Sequence, residues 1–125
     1  MSHALAPITL QLPSLNPPLK LLLHDDSDQI ISARLREQGV WEQYETELTL
    51  KLLKPGDCYI DVGANIGYYS LIASRCVGAK GQVISFEPDA KNFALLEHNI
   101  ALNAGDNIQA FNFALADANS EGQLY

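Results

Sequence analysis

Apolar positions along the chain change their rhythm near Pro55. Before it they gather in two short runs, Ile8 to Leu12 and Leu19 to His24, on either side of the turn PSLNPP. Prolines so dense leave little room for a helix, so the pair reads as a small β-hairpin. Two helical patterns follow. DQIISARLREQ begins behind Ser27, a capping residue, sets Ile31 and Leu35 on one face and stops at Gly39. In WEQYETELTLKLL, Trp41, Tyr44, Leu48 and Leu52 recur at helical steps, which predicts one core-facing apolar stripe until KPGD ends the helix.

After Pro55 strand and helix patterns alternate. CYIDV is a strand, Tyr68 to Val77 a helix, GAKG a turn and QVISFE a second strand. Asp89 caps AKNFALLEHNIALN, where Phe93, Leu96 and Ile100 share a face, and Asn103-Ala104-Gly105 closes that helix before a third strand, NIQAFNFAL. Such alternation predicts an α/β fold: a parallel sheet with right-handed crossovers, half of a Rossmann-like domain. The expected division is residues 1–54, a hairpin with two helices, and residues 55–125, the first half of a nucleotide-type domain.

Composition narrows the class without changing this picture. The 125 residues are 47% hydrophobic and 18% charged, as in one globular domain. Apolar runs such as LKLLL are too short to cross a membrane, and the first residues lack a basic region, so a cytoplasmic protein is expected. A formal net charge of −7 argues against nucleic acid and anionic lipid as partners. Cys58 and Cys76 have no CxxC spacing and sit in apolar segments, which predicts buried free thiols. His3, His24 and His98 are scattered singly, so no metal site is expected.

The candidate chemistry lies in YIDVGANIGYYS, residues 59–70. Ligands of open parallel sheets bind beyond the carboxyl ends of the strands, where Asp61 to Gly67 falls. Gly63 and Gly67 let backbone approach a ligand, and the following helix aims free N–H groups at the same place. A dinucleotide pattern GxGxxG starting at Gly63 would need glycines where Asn65 and Tyr68 stand, and no GK[ST] follows. An acid at Asp61 repels a pyrophosphate but suits a cationic group, such as a sulfonium with an amino group. Glu87 ends the next strand, where a carboxylate can accept both hydroxyls of a ribose, and Pro88 pins the chain behind it.

DVGANIGYYSL followed by VISFEPDAKNFALLEHNIALN resembles the FkbM-type family of S-adenosylmethionine-dependent methyltransferases, over roughly Gly39 to Gly122. The resemblance implies a Rossmann-like class I methyltransferase fold, with O-methylation of a hydroxyl on a sugar, lipid or polyketide-like metabolite and no metal. It places Asp61, Gly63, Ala64, Asn65 and Gly67 at the methionine end of S-adenosylmethionine and Glu87 at its ribose. Pro88 and Asp89 would border the adenine, with Ala114 and Leu115 near the ring and Asp117 a weaker candidate. Tyr44 and Glu45 resemble residues that close over the cofactor.

Sheets of this class have more strands than the three read here, so a cofactor-binding fragment is expected, inactive alone, its parallel sheet truncated after the third strand. The acceptor, a small molecule or a glycan, and the catalytic base belong to segments this sequence does not contain. In the implied strand order CYIDV has an open edge, and self-association through it is expected. Two other classes remain open: a non-catalytic nucleoside-binding or interaction module completed by a partner chain, and a nicotinamide-binding domain.

Overall fold

The computed structural model describes residues 6–25 and 30–123. Strands β1 (Ile8–Thr9) and β2 (Lys20–Leu21) pair antiparallel, followed by helices α1 (Ile30–Gln38) and α2 (Gln43–Leu52). The remainder runs β3 (Cys58–Val62), α3 (Tyr68–Val77), β4 (Gln82–Phe86), α4 (Ala90–Leu102) and β5 (Ile108–Phe111). Strands β3, β4 and β5 form a parallel sheet in that order, with Asp61 opposite Ser85 and Ser85 opposite Ala110. This is the truncated Rossmann-like arrangement expected. The proposed Ser27 cap lies outside the described residues.

Local chemistry explains the element ends. Asp89 accepts a hydrogen bond from the Asn92 N–H at 2.9 Å and caps α4 as anticipated. The hairpin ladder is shorter than the apolar runs suggested, because flanking leucines turn inward: Leu10, Leu12, Leu19, Leu21 and Leu23 all join the main core. That core continues into Leu35, Ile66, Tyr68, Leu71 and Ile72, so it spans both sides of residue 54. The third strand is also shorter than NIQAFNFAL, and residues 112–123 carry no regular secondary structure.

Two sequence expectations need correction and a third needs extending. The stripe of Tyr44, Leu48 and Leu52 faces outward, with Tyr44 74% exposed. The inward face of α2 instead carries Thr46 and Leu50, with Leu53 just beyond its end. Both faces repeat at helical steps, so period alone cannot choose between them. What selects the inner one is polar: the Thr46 hydroxyl bonds the Trp41 carbonyl at 2.7 Å and the Tyr68 hydroxyl at 2.9 Å. Second, Cys58 is exposed, because the outer face of β3 lacks cover among the described residues, and Cys76 on α3 is only half-buried. Ile60 and Val62 on that face are 58% and 62% exposed.

Third, α4 is more than an apolar helix. Leu96 is fully buried on it, but so are Asn99 and Asn103. The Asn99 amide accepts from Leu22 N–H at 2.7 Å and donates to Leu22 carbonyl at 3.1 Å. Asn103 does the same for Lys20, at 2.8 and 2.7 Å. A rise of about 6 Å per four helical residues nearly matches the roughly 6.6 Å between alternate strand residues, so the two amides act as an added strand edge for β2. Asn99 also donates to the Ile66 carbonyl at 2.8 Å, tying hairpin, helix and the loop after β3 together.

Asn99→Ala would leave three main-chain groups without that partner, and buried unpaired groups cost about 1–3 kcal/mol each. Chemical denaturation should show a loss of about 3 kcal/mol or more. Leu102→Ala, one turn away but on the exposed side, should cost under about 1 kcal/mol.

Candidate functional site

At the carboxyl ends of β3 and β4 the chain makes a corner stapled by one carboxylate. The Gly63 and Ala64 N–H groups both donate to the Phe86 carbonyl at 2.9 Å, carrying the ladder past the end of β3. The backbone then turns through Asn65, whose φ of 54° is left-handed, and Gly67, whose N–H returns to the Ala64 carbonyl at 2.9 Å. Glu87, only 5% exposed, accepts the Asn65 N–H on Oε1 at 2.8 Å and the Asp89 N–H on Oε2 at 2.7 Å. The loops leaving two neighbouring strands are thereby held to each other. Each carboxylate oxygen retains a second lone pair for a further donor.

Asp61 faces the same corner from β3. Its Oδ2 accepts from the Ser70 hydroxyl at 2.6 Å, and Ser70 in turn meets the Ser85 hydroxyl at 2.7 Å. Burial raises the Asp61 pKa above the ordinary carboxylate value; the Ser70 hydrogen bond opposes this and the nearby Glu87 charge adds to it. Two acids converge here without a basic residue hydrogen-bonded to either. Such a place repels phosphate and favours a ligand that brings a positive charge and hydroxyl donors.

The two glycines serve different ends. A Cβ on Gly63, at φ 76°, would meet nothing within 4 Å, so this backbone is open to close approach. At Gly67, φ 103°, a Cβ would lie 2.8 Å from Leu96 Cδ1. Gly67 therefore permits α3 and α4 to close on each other. Ala64 is buried at the corner and Asn65 half-buried.

The remaining candidates gather beside it. Pro88, Ala114 and Leu115 line a cavity of about 650 Å³ together with Phe113 and residues of the final segment. That segment is fixed by Asn112, whose side-chain amide donates to the Glu87 carbonyl at 2.9 Å and the Pro88 carbonyl at 3.1 Å. Phe86 stacks on Phe111 and Phe113 packs tilted against both, each pair at 5.5 Å between centroids, and the three wall the strand ends. The Asp89 carboxylate is engaged as the α4 cap, and Asp117 is exposed. Tyr44 and Glu45 are exposed on α2; besides Thr46, it is Glu42 that reaches α3, accepting from the Tyr69 hydroxyl at 3.0 Å.

Sequence reasoning missed Ser70, Ser85, Asn112 and Glu42. Ser70 and Ser85 belong to different elements and meet only through the parallel register, so no local spacing signals them. Asn112 sat inside a presumed strand. Among the described residues no group of three or more His, Cys, Asp or Glu is placed to hold a metal ion, and no helix is long and apolar enough to cross a membrane.

Residues 61–124 match the methyltransferase FkbM domain family. The chain belongs to this family. This FkbM domain is 40% identical over 50 residues to the ribosomal RNA large subunit methyltransferase E of Acinetobacter baumannii, a match covering 40% of the chain and 23% of that protein. It thus spans less than a quarter of the curated relatives it matches. Among solved structures it superposes on Pyrococcus horikoshii TYW2 in complex with MeSAdo with a TM-score of 0.60 and 28% identity, over 80% of this chain and 34% of that one. A protein-L-isoaspartate O-methyltransferase gives a TM-score of 0.58 at 22% identity, over 75% and 28% of the two chains. A SAM-dependent O-methyltransferase of Thermotoga maritima gives 0.54 at 21%, over 68% and 34%. The FkbM domain therefore has the class I methyltransferase fold.

Two outcomes follow from the corner. Gly67→Ala should lower stability by about 2–3 kcal/mol, from strain at positive φ plus overpacking against Leu96, and Gly63→Ala by only about 1 kcal/mol; urea titration separates them. For Asp61 the raised folded pKa means the folded state binds its proton more tightly than the unfolded chain. Stability from this source is present at acid pH and lost as pH rises through the folded pKa. Asp61→Asn, which keeps an acceptor for Ser70, should melt above wild type at pH 7, and thermal melts at descending pH should show the difference closing.

Proposed function

We propose that this FkbM domain holds S-adenosylmethionine at the β3–β4 corner and serves a methyltransferase that modifies a hydroxyl on a sugar, lipid or polyketide-like metabolite. The observation that carries the reading is the pair of carboxylates at adjacent strand ends beside backbone open at Gly63. Asp61, Gly63, Ala64 and Asn65 would hold the methionine end, with Gly67 shaping the turn. Glu87 would accept the ribose hydroxyls on the lone pairs its backbone bonds leave free, and Pro88, Asp89, Ala114 and Leu115 would border the adenine. The donor, when bound, supplies a methyl group activated by a neighbouring sulfonium. The chain's part is to orient it and to exclude water.

The TYW2 structure, which is in complex with MeSAdo, supports a nucleoside ligand for a domain of this fold. The ribosomal RNA relative is not carried over to the acceptor: its match spans 50 residues, and a net charge of −7 offers no footprint for phosphates.

Calorimetry with S-adenosylhomocysteine tests the assignment. A hydrogen bond to a charged acceptor contributes about 1.5–3 kcal/mol, so Glu87→Gln should weaken binding roughly ten- to hundredfold. Equal affinity in wild type and variant removes the ribose role.

A second reading, in which a partner chain or a second copy completes the sheet, is favoured by β3. It has a strand neighbour only on the β4 side among the described residues, and its Ile60 and Val62 are open to solvent. No lysine, proline or bulge interrupts CYIDV to discourage pairing. Sedimentation at micromolar concentration should reveal association that Ile60→Lys weakens. A compact, cooperatively melting monomer would count against it.

A further inference from the structure

Ser70 and Ser85 are both fully buried, between the first turn of α3 and the middle of the sheet. A buried hydroxyl costs free energy unless it is hydrogen-bonded, and alanine at either place would need no partner. A serine in a helix commonly turns its hydroxyl back on the carbonyl four residues earlier. Here that carbonyl, of Ile66, is taken by Asn99 at 2.8 Å. Ser70 instead donates its only proton to Asp61 Oδ2, so the 2.7 Å contact with Ser85 is a bond that Ser85 donates. The chain runs one way, from Ser85 through Ser70 to the carboxylate. Asp61 and Ser85 are register partners, which closes a small loop of β3, β4 and α3 around these oxygens.

We propose that Ser70, backed by Ser85, is a positioning residue for Asp61: a two-hydroxyl relay that fixes Oδ2 within the protein and presents Oδ1 to the ammonium group of the cofactor's amino-acid end. The proposal rests on the cofactor reading above and assigns it a residue outside the glycine motif. Successive hydrogen bonds polarise one another, so the outer serine strengthens the inner bond. The relay also favours the ionised form of the acid. Burial and the Glu87 charge push the Asp61 pKa up, and the bond from Ser70 pulls against both. The titratable groups that interact with Asp61 are Glu87 at the end of β4 and Tyr59 on its own strand, while α3 contributes only the serine.

Two ligands and one ligand-free titration test this on the whole chain. S-adenosylhomocysteine carries the amino-acid end; methylthioadenosine lacks it. Ser70→Ala should weaken S-adenosylhomocysteine roughly tenfold at neutral pH and leave methylthioadenosine within about twofold. The midpoint of the Asp61 side-chain carboxyl, followed by carbon-detected NMR, should rise in Ser70→Ala and rise less in Ser85→Ala. Equal loss for both ligands would mean that Ser70 merely supports the fold, and overturns the proposal. An unchanged Asp61 midpoint overturns it as well. If wild type binds neither ligand the cofactor reading falls, and the titration alone then decides whether the relay acts on Asp61. Should Ser70→Ala fail to fold, Ser85→Ala, which leaves Ser70 in place, decides by the same two readouts.

Discussion

Loops that leave adjacent parallel strands have no backbone reason to stay together, since the ladder ends where the strands do. In this domain the Glu87 carboxylate supplies the missing constraint. One oxygen binds the Asn65 N–H in the first loop and the other the Asp89 N–H in the second. Hydrogen bonds to an ionised acceptor are among the stronger ones, and shielding from water strengthens them further. The start of α4, the turn into α3 and the tail held by Asn112 on the Glu87 and Pro88 carbonyls all take their position from this residue. A single side chain thus acts as the scaffold for both loops.

Much of the fold was legible because its causes are local. The bounds of α3 coincide with those read from the pattern, and the Asp89 cap and the β3 and β4 strands carry signals within a few residues of themselves. Acids at successive strand ends were equally readable, since Asp61 and Glu87 need only the strand positions to be placed. What stayed hidden depends on partners distant in sequence. Tyr44, Leu48 and Leu52 repeat at helical steps as well as Thr46 and Leu50 do, and only the hydroxyl of Tyr68 decides which row turns inward. At Gly67 the hidden part is the packing: Leu96, on another helix, occupies the room a Cβ would need.

The corner also shows how charge is kept where it is unfavourable. Burial foremost, and to a lesser degree the neighbouring Glu87 charge, raises the Asp61 pKa. Backbone N–H groups answer one acid and a serine hydroxyl the other, so neither is neutralised by a fixed cation. Burial without a compensating positive charge makes the domain less stable than it could be.

The amide ladder of Asn99 and Asn103 has a consequence for how this chain can vary in length. Both side chains must meet alternate residues of the extended segment Lys20 to Leu22, and they do so because four helical residues advance nearly as far as two extended ones. One residue gained or lost between them would swing Asn103 by about 100° around the helix axis and off the strand. The hairpin and α4 therefore mesh like rack and pinion with two teeth. An insertion in the loops on either side would leave this mesh intact, whereas one within 99–103 would break it.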